Sequence, residues 1–273
     1  VPLSDHYDGF LIDLDGVVWI GRDPVPGSPE TLAALLEQGK EIAFVTNNPS
    51  RPPERYAERL REMGVEIGPE RIVTAGMVAA RLAGEAADGG GAFVIGATAL
   101  KEMVAAAGPD LLEGEAGREA AVVVVSGHRG FDYEDLLTAK LALDRGAALV
   151  ATSHDPTMPM PGGDWPGTGA ILAAVETASG RRAEIGGKPE HHLFEMAREV
   201  ISRGSLSTHD VGKEPRDARV AMVGDRIASD IDGGRAAGLA TVLVLSGAGS
   251  RAEAEAAEPP PDHVIENLAA LLR

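Results

Sequence analysis

Short apolar runs alternate with helical segments along this chain, and that alternation limits its fold more than any other feature. Runs at residues 9–14, 41–45, 92–95, 122–125, 149–151, 220–223 and 241–245 read as strands, with a shorter one at 72–74. Strands buried on both faces of a sheet look like this, apolar throughout rather than alternating. Ser28-Pro29-Glu30 opens the first helix, with Ser28 as N-cap and Pro29 at the first helical position, and Gly39 ends it. Further helices are expected at about 52–63, 77–82, 99–107, 133–145 behind Asp132 as cap, 170–177, from the 186–189 stretch to about 203, and 230–237 before Gly238. Residues 84–91 read as a Gly/Ala-rich linker, 152–167 as a long Pro/Gly loop and 205–216 as a polar surface loop. Strand–helix alternation predicts an α/β fold, a parallel sheet with helices on both faces. Ligands of such sheets sit beyond the C-terminal ends of the strands.

Three of the strands run straight into polar groups. Asp13 and Asp15, spaced i and i+2, leave the end of the first strand on the same side, and Gly16 lets the chain turn away. Two carboxylates so close need a cation, a shared proton or both, which points to Mg²⁺ and acid–base chemistry. Thr46-Asn47-Asn48 follows the second strand, and Gly224-Asp225 closes the 220–223 strand with Asp230 five residues on. Lys188, between Gly187 and Pro189, lies in a loop able to reach the same end of the sheet. These types suit phosphoryl transfer. Asp13 is the candidate nucleophile and Asp15 the candidate general acid–base. Thr46, Asn47 and Asn48 can hold phosphoryl oxygens, and Lys188 can neutralise them. Asp225 can ligate Mg²⁺, and Asp230 can orient that group from behind.

The 273 residues include no cysteine, so disulfides, zinc–thiolate sites and a cysteine nucleophile are excluded. A net charge of −17 argues against a general nucleic-acid binder, which needs a basic face. An acidic chain that handles phosphate must place positive charge locally. No apolar run approaches the ~20 residues of a membrane span. No signal peptide is read at the N-terminus, and the cytoplasm is the expected location.

Four stretches together resemble the haloacid dehalogenase-like phosphatases, NagD-like (4-nitrophenylphosphatase) branch. They are Asp13-Leu14-Asp15-Gly16-Val17, Phe44-Val45-Thr46-Asn47-Asn48, Gly187-Lys188-Pro189, and Val223-Gly224-Asp225-Arg226 with Ser229-Asp230-Ile231. The resemblance implies a Rossmann-like core, discontinuous over 1–83 and 187–273, with an inserted α/β cap domain over 84–186. It implies Mg²⁺ held by the Asp13 side chain, the Asp15 backbone carbonyl and Asp225, with Lys188 and Thr46 on the phosphate. The substrate class it implies is a small phosphorylated metabolite: phosphoglycolate, glycerol phosphate, a sugar phosphate or a nucleotide monophosphate. Relatives with the cap in this position often dimerise, so a homodimer through the cap is expected. The long gap between Thr46 and Lys188 weighs against the phosphomutases of the superfamily, and Asp15 weighs against a dehalogenase. Transfer to a sugar hydroxyl and a catalytically silent phosphate-binding module remain as other readings. The chain departs from the family pattern at His128-Arg129 and at Thr152-Ser153-His154-Asp155, and Ser229 replaces a usual Thr. The sequence does not decide whether His128, Ser153, His154, Asp155 or Trp165 touches substrate.

Overall fold

The computed structural model describes residues 1–160, 163–205 and 219–273. In chain order the first elements are β1 (Gly9–Asp13), β2 (Trp19–Ile20), β3 (Asp23–Pro24), α1 (Ser28–Glu37), β4 (Glu41–Thr46), α2 (Pro53–Glu62) and β5 (Ile72–Thr74). Then come α3 (Ala75–Ala87), β6 (Ala92–Ile95), α4 (Thr98–Ala106), β7 (Val122–Val125), α5 (Tyr133–Asp144) and β8 (Ala148–Ala151). They are followed by β9 (Thr157–Met160), β10 (Gly163–Pro166), α6 (Thr168–Ser179) and β11 (Glu184–Ile185). The chain ends with α7 (His191–Ser205), β12 (Val220–Gly224), α8 (Asp232–Ala236), β13 (Ala240–Val244), α9 (Arg251–Ala256) and β14 (His263–Ile265).

The chain divides into two compact units, one of Val1–Thr46, Pro53–Val73 and Lys188–Arg273, the other of Asn47–Pro52 and Thr74–Gly187. In the first, six strands form a sheet in the order β14-β13-β12-β1-β4-β5. β1 pairs in parallel with β12 on one side and β4 on the other. Every residue of β1 is buried, which is why its sequence is apolar up to Asp13. Phe10, Ile12, Leu14, Trp19, Phe44 and Tyr56 share one apolar cluster. Successive strands move outward from β1 to β4 and β5 on one side and from β12 to β14 on the other. The direction of winding reverses at β1, and that reversal opens a crevice at the C-terminal strand ends.

The second unit is a four-stranded parallel sheet in the order β11-β8-β7-β6 with a separate antiparallel ribbon of β9 and β10. The expected insertion at 84–186 is narrower than this unit. The reason is α3, which packs against α4, β7 and β8 of the second sheet.

Four local expectations need correction or lie outside view. The expected 84–91 linker is partly helix, because α3 runs through Gly84 to Ala87. Gly84 serves close packing there: a Cβ on it would lie 2.7 Å from the Ala107 carbonyl oxygen. Within the expected 152–167 loop lie β9 and β10, whose two-stranded ribbon tolerates the prolines a central strand would not. Gly27, with φ of 82°, caps α1 in place of Ser28, whose hydroxyl instead donates to the Val17 carbonyl at 3.0 Å. The expected polar loop at 205–216 lies, from residue 206, outside the described residues. Asp132 caps α5 as expected, in a capping box with Asp135.

The edge strand β14 is tied to β13 by Asp262, whose Oδ2 accepts from both the amide and the hydroxyl of Thr241 at 2.8 Å. Burial pushes Asp262 up, but the Thr241 hydrogen bonds and the charges of His263 and Arg235 outweigh it and hold it below the usual carboxylate value. A carboxylate with a depressed folded pKa contributes stability above its unfolded pKa of about 4 and loses it as pH falls through the folded value. Asp262→Asn is therefore expected to cost about 1 kcal/mol at neutral pH. Thermal melts of both proteins should differ at pH 7 and converge as the pH falls through the lowered folded value of Asp262.

Candidate active site

Asp13 ends β1, Thr46 ends β4, and Asp225 follows β12, so the three central strands deliver these residues to the reversal point. Lys188 comes back to the same place. Its Nζ donates to Asp13 Oδ1 at 2.8 Å and to Asp230 Oδ1 at 2.6 Å. All four charged groups are buried, Asp230 completely. Asp230 reaches inward from a turn of π-helix over Ile227–Ile231, where a plain α-helix was expected from 230, and its Oδ2 accepts from the Arg226 amide at 3.0 Å. That bond fixes the carboxylate that orients the lysine.

Asp225 is held from the other side. Its Oδ2 accepts from the Ala248 amide at 2.7 Å, while Oδ1 is buried without a hydrogen-bond partner among the described residues. The backbone crowds it closely: a Cβ on Gly16, where φ is +87°, or on Gly247 would collide with the Asp225 carboxylate. Gly16 is thus required twice, for its left-handed turn and for the space it leaves.

Asp13, Asp225 and Asp230 can bring their oxygens within 4.8 Å of one another. Burial pushes Asp13 well above the usual carboxylate range; Lys188 opposes this, and Asp230 and Asp225 add to it. Burial likewise raises Asp225, with the charge of Asp230 adding and the Ala248 amide opposing. Burial alone would lower Lys188, but the charges of Asp13 and Asp230 and its hydrogen bonds to them hold it above the ordinary lysine value. One ammonium among three buried carboxylates leaves negative charge uncompensated. The unpartnered Asp225 oxygen and this charge imbalance fit a hard divalent cation such as Mg²⁺.

The other expected residues are placed differently. Asp15 stands outside the three-carboxylate group, exposed, with its Oδ1 accepting from the Trp19 indole Nε1 at 2.9 Å. Thr46 is buried at its strand end. Asn47 and Asn48 belong to the second unit, where Asn47 Nδ2 donates to Asp155 Oδ2 at 3.2 Å and Asn48 Oδ1 accepts from the Ser50 amide at 3.1 Å. In that unit Ser153 is buried, His154 is exposed, His128 is half-buried, and the Arg129 guanidinium lies 4.6 Å over the Trp165 ring. Sequence reasoning missed Trp19 and the Ser246-Gly247-Ala248 turn, whose Ser246 hydroxyl donates to the Gly16 carbonyl at 2.7 Å. The signal for that turn was available, since a glycine-rich stretch follows the β13 strand directly.

Two family profiles match, haloacid dehalogenase-like hydrolase over residues 10–110 and HAD-hydrolase-like over 185–271. Mouse (Mus musculus) chronophin is 37% identical to this chain over 97% of it and 91% of chronophin. The chain belongs to the haloacid dehalogenase-like hydrolases. Solved structures of this family agree. A glycerol phosphate phosphatase of Mycobacterium tuberculosis, in complex with magnesium, superposes with a TM-score of 0.85 at 34% identity, covering 100% of this chain and 78% of that one. A p-nitrophenyl phosphatase from Archaeoglobus fulgidus gives 0.84 at 32% identity, covering 97% and 98%.

Proposed function

We propose that this hydrolase is a Mg²⁺-dependent phosphatase of small phosphomonoesters that works through an aspartyl-phosphate on Asp13. The observation that carries the reading is the buried group of Asp13, Asp225 and Asp230 around the Lys188 ammonium, with one Asp225 oxygen unpartnered. The phosphatase names of the two superposed structures support it.

Asp13 attacks phosphorus, and Asp15 gives a proton to the departing alkoxide as the ester bond breaks. Asp15 then takes a proton from a water whose oxygen attacks the aspartyl-phosphate, which frees phosphate and restores Asp13. Lys188, fixed by Asp230, holds positive charge beside the nucleophile. Thr46, with the Asn47 and Asn48 amides, is assigned to the phosphoryl oxygens. Asp13, Asp225 and the Asp15 backbone carbonyl would hold Mg²⁺, which when bound neutralises charge on the phosphoryl group.

Phosphate release from phosphoglycolate, glycerol phosphate, sugar phosphates, nucleotide monophosphates and p-nitrophenyl phosphate tests this. One or more esters should be hydrolysed with Mg²⁺, and EDTA should abolish turnover until Mg²⁺ is restored. Full activity in EDTA would overturn the metal assignment, and product carrying the phosphoryl group on an added sugar would favour transfer over hydrolysis. Mg²⁺ at a hundredfold excess over its dissociation constant should also raise stability by about 2.7 kcal/mol, read by thermal melting.

Among the described residues no helix is long and apolar enough to cross a membrane. The reading takes the cytoplasm as the enzyme's location and pairs two copies through the inserted unit, the pairing being what the family resemblance supports. Sedimentation velocity reads the second point, as a species of twice the 28.3 kDa chain mass.

A further inference from the structure

The exposed Asp15 is gripped by a side chain that has no exposure at all. Trp19 is fully buried, and its indole Nε1–H donates to Asp15 Oδ1 at 2.9 Å. The turn between them is wound tightly: the Val18 amide donates to the Leu14 carbonyl at 2.9 Å and the Gly16 amide to the Trp19 carbonyl at 2.7 Å. The indole is itself clamped by α2. Tyr56 lies parallel to it, within 2° and with ring centroids 6.4 Å apart. The Arg59 guanidinium carbon sits 4.0 Å over the ring, and Arg59 Nη2 donates to the Gly21 carbonyl at 2.7 Å. Stacking, a cation over the ring and a bond to the following turn leave the indole N–H one place to point.

We infer that Trp19 is a positioning residue for proton transfer, holding Asp15 Oδ1 so that Oδ2 is the oxygen that gives and takes the proton. An indole N–H only donates, so it occupies Oδ1 whether Asp15 is charged or neutral. When Asp15 is neutral, Oδ1 is the carbonyl oxygen and the proton resides on Oδ2. That proton passes to the leaving oxygen as the ester bond breaks and the Asp13–phosphorus bond forms. In the second step Oδ2 recovers a proton from the attacking water as the Asp13–phosphorus bond breaks. An exposed carboxylate without this bond would sample several rotamers, and few of them deliver the proton in line.

The inference rests on Asp15 as the acid–base, and the test separates the two. The value of kcat/KM, which covers steps up to the first irreversible one, is measured with Mg²⁺ for a series of phosphate esters. The series runs from alkyl phosphates, which need a proton on departure, to p-nitrophenyl phosphate, which does not. Trp19→Phe should lower kcat/KM about 10–100-fold for the alkyl esters. For p-nitrophenyl phosphate it should stay within about threefold, and Asp15→Asn should show the same pattern more steeply. Because Trp19 lies in the core, a second variant places benzothienylalanine at position 19, an isostere with sulfur in place of N–H, and thermal melting checks both folds. It should reproduce the same dependence on leaving group. Equal losses across the series, or none, with a steep Asp15→Asn series, would overturn the role of Trp19 alone. A flat Asp15→Asn series would overturn the acid–base assignment and this inference with it.

Discussion

Asp13→Asn is expected to lower turnover by about 10⁴-fold or more while leaving the protein folded and at least as stable as the parent. The loss follows from the role assigned to the carboxylate, because an amide oxygen does not displace an alkoxide from phosphorus. The stability follows from the charge pattern. Burial pushes Asp13 well above the usual range, and Asp230 and Asp225 reinforce this against Lys188, so its ionised form is held at a cost. The amide is isosteric and removes one negative charge from the group. Lys188 keeps its 2.6 Å bond to Asp230. Phosphate release and thermal melting on one preparation check both halves. Full turnover would remove Asp13 as nucleophile, and a large fall in melting temperature would contradict the electrostatic account.

Lys188→Met should harm both folding and catalysis. The ammonium touches two carboxylates, at 2.8 and 2.6 Å, and is only 4% exposed. Removing one partner of a buried pair leaves the other uncompensated, at about 3–5 kcal/mol. Lys188 is held above the ordinary lysine value by Asp13 and Asp230 despite its burial, so it stays cationic through the physiological range. Loss of that charge beside the phosphoryl group should cost about 10²–10³-fold in kcat. The double variant Lys188→Met with Asp230→Asn separates the two effects. It should recover part of the stability, since Asp230 is no longer a buried unpaired charge, and none of the activity. Urea denaturation and initial rates give the comparison. Recovery of activity in the double variant would show that Lys188 served only to neutralise Asp230.

The order of strands and helices was legible because buried parallel strands carry unbroken apolar runs rather than alternation, as residues 10–12 of β1, 42–45 of β4 and 220–223 of β12 do. The convergence of Asp13, Thr46 and Asp225 was legible for a related reason: in a parallel α/β sheet, polar residues at the ends of central strands share one end. What failed was decided by tertiary context. The end of α3 was lost because alanines give no contrast between faces and Gly84 reads as a break, yet that glycine is there for the Ala107 backbone. No periodicity reveals that α3 packs on β7 and β8. The ribbon of β9 and β10 was hidden by Pro159, Gly163 and Pro166, which ordinarily mark loops. Trp19 belongs to a two-residue strand, too short for any pattern, and its bond to Asp15 exists only once the turn has formed.

The central claim is a covalent bond between Asp13 and phosphorus. The most direct test uses Asp15→Asn with p-nitrophenyl phosphate and Mg²⁺. Nitrophenolate leaves without a proton, so the first step proceeds, whereas attack of water lacks its base and the intermediate accumulates. Acid quenching and peptide mass spectrometry should then find phosphate on the peptide that contains Asp13, together with a burst of nitrophenolate approaching one per chain. Phosphate on another residue, or steady nitrophenolate release with no phosphorylated peptide, would contradict the account.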